Sequence, residues 1–229
     1  MDRDVMEVQS EIPFAFGAEE FGRMAYGADS AELQGEVRDF LQTALPLVKP
    51  KALMRVAYIE GRAEDSIRID TALFQSRALC INLEKVERVF PYIATCGTEL
   101  DEIDLGRFDM LAYYWLEALK MMAVRAAVGF LRRRIENRYG VAKLAAMNPG
   151  AADRDVWPLE QQRELFSLFG QVRSLIGVTL TPSCLMVPNK SVSGIFFPSD
   201  INFVNCQLCT RGECPNRKAP FQSRLPSTD

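Results

Sequence analysis

The sequence contains no histidine. There is therefore no Ser-His-Asp or Cys-His pair, no zincin motif and no imidazole to ligate a metal or a cobalt. Acid–base work at neutral pH would fall to a carboxylate, cysteine, lysine or tyrosine with a shifted pKa. A G-x-G-x-x-G turn after a strand is also missing, so a Rossmann nucleotide site has no support, the usual methyltransferase version included. Nor is there a basic excess: 27 lysines and arginines stand against 30 acidic residues, for a net charge of −3. That balance argues against a broad nucleic-acid footprint. No apolar h-region follows the opening Met-Asp-Arg-Asp, which predicts a cytoplasmic protein without a signal peptide.

Long charge-free runs are scarce too. Met110 to Leu131 is almost continuously apolar, but Glu117, Lys120 and Arg125 interrupt it. Each charge would cost about 2.5–3.5 kcal/mol at a bilayer centre. At about 100° per residue the three fall on one narrow stripe beside Asp109. The pattern predicts a long, mostly buried helix with one wet edge and no membrane span.

What is present is core material. The chain has 229 residues, 48% of them hydrophobic, enough for one large domain or two small ones. Residues 1–28 are mixed in composition and read as an N-terminal arm. Leu33, Val37, Phe40, Leu41, Ala44 and Leu45 recur at helical spacing, with Asp29 or Ser30 as cap and Pro46 as stop. Leu53–Ile59 and Ser66–Asp70 read as a hairpin with Gly61 in its turn, and Val86–Thr95 as a further strand. Thr98 to Arg138 is dominated by helix. It ends in Arg132, Arg133, Arg134 and Arg138, ahead of Gly140 as stop; basic residues suit the negative end of a helix. This cluster is either a solvated helix end or a docking patch for an acidic partner. A loop from Met147 to Trp157 follows, then a helix opened by Pro158 and running to about Phe169. Val178–Thr181, Ser183–Val187 and Ser191–Phe197 read as strands. Strands, a helical block and strands again make an α+β domain over residues 29–200. Residues 201–229 form a Cys-rich tail.

Three of the six cysteines, Cys206, Cys209 and Cys214, fall within nine residues. A Cys-x-x-Cys turn can aim two thiolates at one ion, and a third a few residues on fits the same site. Inside a cell such clustering favours a metal centre or redox chemistry over structural disulfides. Zinc and an iron–sulfur cluster are both compatible, with Cys184 or Cys96 as a fourth ligand. Cys80 and the remaining cysteines read as small buried hydrophobes.

Asn148 to Phe197 carries an ordered series: Asn148-Pro-Gly150, Trp157-Pro-Leu-Glu-Gln-Gln162, Leu165-Phe166, Ile176-Gly-Val-Thr-Leu-Thr181 and Met186-Val-Pro-Asn-Lys-Ser-Val-Ser-Gly194. With the long helix containing Tyr113 to Ile135, this resembles the activation domain of cobalamin-dependent methionine synthase, in its stand-alone form. The likeness covers Val86 to Phe197, about half the chain. It departs from the family at the Arg-Pro-x-x-Gly-Tyr-x-Ala-Cys-Pro loop. There Pro149, Gly150 and Pro158 match in kind, the tyrosine is missing, and Asp153, Arg154 and Asp155 are inserted.

The resemblance implies a twisted antiparallel sheet with flanking helices and one long central helix. It implies S-adenosylmethionine in a shallow groove, touched by Pro149, Gly150, Asp153, Trp157, Pro158, Lys190, Ser191 and Glu117, with Glu117 or Asp153 meeting the methionine ammonium. Trp157 is then either a core aromatic or a ring stacked on adenine, and Lys190–Gly194 either a plain hairpin or part of the groove. The implied partner is a corrinoid-binding methyltransferase subunit. It carries the cobalamin, since this chain lacks an Asp-x-His-x-x-Gly motif. A flavodoxin or ferredoxin-type protein supplies one electron to Cob(II), and the resulting Cob(I) takes the methyl group from the sulfonium. In such chemistry the protein mainly positions cofactors, and no catalytic side chain is expected. An alternative of another class stays open: a metal-containing electron-transfer or adaptor subunit that docks on a corrinoid protein through this fold.

Overall fold

The computed structural model describes residues 6–153, 156–200, 203–214 and 217–222. One layer of antiparallel strands organises it. Strand β1 (Met6–Gln9) pairs with β2 (Lys51–Arg55), and between them lie helices α1 (Ala18–Met24) and α2 (Gln34–Ala44). Strands β3 (Ala57–Arg62), β4 (Ser66–Ile69) and β5 (Ala72–Gln75) form a meander, followed by the short helix α3 (Arg77–Asn82). The central strand is β6 (Arg88–Thr95). Its C-terminal half pairs with β2 and its N-terminal half with β3, so β2 and β3 lie end to end along one side of it. Helix α4 (Ala112–Tyr139) precedes β7 (Leu144–Met147), α5 (Gln162–Ser167) and α6 (Val172–Ile176). The small pair β8 (Thr179–Leu180) and β9 (Met186–Val187) leads to β10 (Ser191–Pro198). Strand β10 runs along the other side of β6 and carries β7 outside it.

Side-chain alternation places cores on both faces of the sheet. Leu53, Ile93, Ile195 and Phe197 pack with α3, α5 and α6 around Trp157. Their neighbours Ala52, Met54, Tyr92, Ala94 and Phe196 point the other way, against Val124, Ala127, Leu131 and Ile135 of α4. That helical set recurs every three or four residues, as a helix laid on a sheet requires. The N-terminal half of α4 serves a third cluster, where Trp115, Leu116 and Leu119 meet Phe21 of α1 and Val37 and Phe40 of α2. This is the expected α+β architecture, with the long helix at its centre.

Several expectations need correction. The segment Leu53–Ile59 is two strands, broken at Val56 where the chain passes from one half of β6 to the other. Gly61 lies within β3 at a register shift, and residues 63–65 make the turn instead. The predicted helix from Ser30 starts only at Gln34, because Ser30 Oγ accepts from the Glu32 amide in a turn of its own. The predicted arm contributes β1 and α1, with Phe21 and Ala25 buried. Lys120 is not on a wet edge: it is 6% exposed and donates to Asp101 Oδ1 at 2.5 Å. Among the described residues no helix is long and apolar enough to cross a membrane. The arginine-rich end of α4 is largely occupied from within. Arg134 and Arg138 both hold the buried Glu7 carboxylate of β1, and Arg132 donates to Leu144 O at 2.5 Å.

Candidate functional site

Among the described residues strand β7 pairs only with Ile195–Pro198 of β10, and the outer edge of Ser191–Gly194 has no strand beside it. The loop after β7 lies there instead. Asn148 anchors that loop. Its Nδ2 donates to Ser193 O at 2.8 Å and to Tyr92 Oη at 2.7 Å. Ser193 Oγ in turn donates to Gln162 Oε1 at 3.0 Å, and Gln162 Nε2 to Cys184 O at 3.0 Å. Ser193 and Gln162 are nearly inaccessible, at 2% and 3% exposed, so this is a satisfied buried polar chain linking β6, β10, the loop and α5. Burial pushes Tyr92 up to about 12, against the lowering effect of its Asn148 hydrogen bond. It is a neutral phenol here.

Close backbone approach explains the glycines. A Cβ on Gly194 would lie 2.3 Å from Asn148 Nδ2 and 2.5 Å from Met147 O. Gly150 has φ +72° and turns the loop so that its N–H donates to Trp157 O at 2.9 Å. Pro149, Gly150, Asp153, Trp157 and Pro158 thus belong to one closed loop. Trp157 is a correction to the stacking expectation. It is 1% exposed, stands edge-on to Phe74 at 5.7 Å and donates to Gln161 Oε1 at 3.2 Å. A ring enclosed in this way has no face to offer adenine.

Glu117, Lys190 and Ser191 form a second group at the start of β10. Lys190 Nζ lies 2.6 Å from Glu117 Oε2, and Asn189 Nδ2 donates to the same oxygen at 3.2 Å. Lys120, the i+3 neighbour of Glu117, is 4.0 Å away. Burial pushes the Glu117 carboxyl up, but the Lys190 hydrogen bond and charge, with Asn189, outweigh it and hold it below the usual carboxylate range. Ser191 Oγ lies 2.9 Å from Thr95 Oγ1 and 2.8 Å from Pro188 O. The two groups of expected residues are joined through β10. Both carboxylates proposed for an ammonium already have partners, Lys190 on Glu117 and Thr210 on Asp153.

Sequence reasoning did not foresee that Thr210 contact. Thr210 Oγ1 donates to Asp153 Oδ1 at 2.9 Å and its amide to Oδ2 at 3.2 Å. Asn205 Nδ2 donates to Asn148 Oδ1 at 2.8 Å. The Cys-rich tail is thereby tied to both ends of the loop. Cys206, Cys209 and Cys214 are half-buried free thiols, whereas Cys80, Cys96 and Cys184 are buried. Cys96 and Cys184, the expected fourth ligands, sit in the interior at 0% and 1% exposed, and burial pushes Cys96 up to about 11. In the arrangement shown, no three Cys, Asp or Glu side chains among the described residues are gathered around one point. Polar residues such as Thr210 and Asn205 carry no sequence signal for these long-range contacts, whereas Asn148 and Gln162 stood in the recognised series.

No protein-family model matches the sequence, and no curated protein matches it. A solved structure does match: the MetH reactivation domain bound to AdoHcy. It aligns over 89% of this chain and 82% of its own, with a TM-score of 0.63 and 15% identity. The chain shares the fold of that domain. The likeness takes in 89% of the chain, a wider span than the half that the sequence motifs covered. At this identity it speaks for the fold, and the ligand of the solved domain belongs to that domain.

Proposed function

We propose that this chain is an accessory protein for reductive reactivation of cobalamin on a corrinoid methyltransferase such as methionine synthase, and that it binds S-adenosylmethionine. The observation carrying this reading is the fold shared, over nearly the whole chain, with a reactivation domain that holds AdoHcy. AdoHcy is what remains of S-adenosylmethionine once the methyl group has left. The Ser191–Gly194 edge supports the same reading: the Asn148–Asp153 loop lies where a further strand would, and already uses Ser193 O through Asn148. In this reading an amino acid and a nucleoside would meet the remaining peptide N–H and C=O groups of that edge and of the Pro149–Gly150 turn. Cobalamin, in this reading, arrives on the partner, and a separate reductant supplies the electron.

The test is calorimetric titration of S-adenosylmethionine into the anaerobically purified chain. Saturable binding at micromolar ligand, competed by AdoHcy, is expected. No heat at millimolar ligand, with the protein shown folded, would overturn the binding claim. A second reading, an adaptor that keeps the fold for gripping a corrinoid protein, is favoured by the tail tied across the Asp153 loop. It predicts tight association with a cobalamin-loaded partner that S-adenosylmethionine leaves unchanged.

A further inference from the structure

The tail is short of apolar packing. Of its described residues only Phe203 is buried, with Leu208 packed partly against the core. Ordering each residue costs backbone entropy, which so little buried surface does not offset. Yet polar bonds give the segment a definite shape. One 3₁₀ turn, Asn205–Leu208, sets the Cys209 amide toward Cys206 O at 3.4 Å. Residues at the two ends of such a turn have Cα atoms within about 7 Å. Arg217 then takes the carbonyls of all three cysteines. Its guanidinium donates to Cys206 O at 3.1 Å, to Cys209 O at 3.2 Å and also to Arg211 O, and its amide donates to Cys214 O at 3.0 Å. The Lys218 amide points at Cys206 Sγ, 3.4 Å away.

We propose that Cys206, Cys209 and Cys214 bind one thiophilic divalent ion of the zinc class as three thiolates, the fourth tetrahedral position going to a ligand from outside the loop. The backbone around the thiols is closed on Arg217, and a cysteine thiol swings between staggered wells about a single torsion. In the proposed bound form the thiols would turn about that torsion to meet the ion while the carbonyls stay on the arginine. Three thiolates and a divalent ion leave one negative charge, and the Arg217 guanidinium beside them balances it. The proposal takes a single ion over an iron–sulfur cluster because most clusters use four cysteine thiolates, and the other three cysteines are buried in the cores. A zinc-class ion accepts three protein ligands and an outside fourth. Through Thr210 and Asp153 the knuckle stands beside the Asn148–Asp153 loop, but the proposal does not depend on what that loop binds.

The experiment is anaerobic titration of Co(II) into the full-length, metal-free, reduced chain. The expected result is a thiolate-to-cobalt charge-transfer band in the near ultraviolet, saturating at one equivalent and displaced by Zn(II). Cys209→Ser is expected to weaken binding at least tenfold, while Cys80→Ser leaves it unchanged. No band with all six thiols counted as reduced would overturn the proposal. So would a band that survives the paired change Cys206→Ser and Cys209→Ser. Stoichiometric iron and sulfide in protein made without oxygen would overturn the single-ion site in favour of a cluster.

Discussion

At the residue scale, Glu117 shows how a side chain singled out for ligand binding also serves the fold. Its carboxylate joins α4 to the start of β10 through Lys190 and Asn189. Despite the opposing effect of burial, the folded-state pKa lies below the ordinary value of about 4.3. A depressed carboxyl pKa stabilises the fold at pH above the unfolded value, and that contribution is lost as pH falls through the folded value. Glu117→Gln is therefore expected to lower the urea midpoint at pH 7 and 6 by the same amount. The gap to the parent should close as pH drops below about 4.3, where both chains carry a neutral group. A gap that persists unchanged at pH 3 would show that the ion pair is not its source. Gly194 makes the opposite point: it contributes by what it lacks, since any Cβ there would strike Asn148 and Met147 O.

At the scale of elements, the periodicity of α4 and the alternation of Ile67 and Ile69 with Arg68 were legible because they follow from one helix and one strand each burying a face. What stayed hidden depends on partners distant in sequence. Strand β1 is four residues long and presents its exposed Met6 and Val8 opposite a buried glutamate. Glu7 reads as a surface residue until Arg134 and Arg138, more than 120 positions on, are seen to enclose it. The candidate site divides the same way. Pro149-Gly150 and Lys190-Ser191 were visible as turn chemistry, while the Asp153–Thr210 clamp joins two polar residues that no local pattern connects. The Glu7 clasp is testable. Both arginines are more than a third exposed, so screening limits their charge contribution. The chief loss in Glu7→Ala is hydrogen bonding to two guanidinium groups, worth about 1–3 kcal/mol in total. Hydrogen exchange is expected to show β1 amides losing protection while those of β6 keep theirs. Equal loss across both strands would mean that β1 does not open separately.

At the scale of the whole molecule, the sheet ties three cores together. The chain's two tryptophans report on different ones: Trp115 lies with α1 and α2, Trp157 with α5 and α6 on the opposite face of the sheet. Strand β6 lends alternate residues to both faces, Ile93 to one and Tyr92 and Ala94 to the other. Loss of the core on either face therefore strips the strand that supports the other, and α4, shared by the Tyr92 core and the Trp115 cluster, carries the coupling on, which argues for a single cooperative transition. A ligand on the β10 edge binds only when β6, β10 and the Asn148 loop are in place, so its stabilisation should reach the α1–α2 end as well. At S-adenosylmethionine a hundredfold above Kd the linkage is about 2.7 kcal/mol. For a chain of this size that raises Tm by about 5–10 °C. Trp115→Phe and Trp157→Phe leave one fluorophore each. The two melts are expected to coincide without ligand and to move upward together with it. A rise seen by Trp157 alone would show that the helical end unfolds as a separate unit, and that the shared strand does not couple the cores.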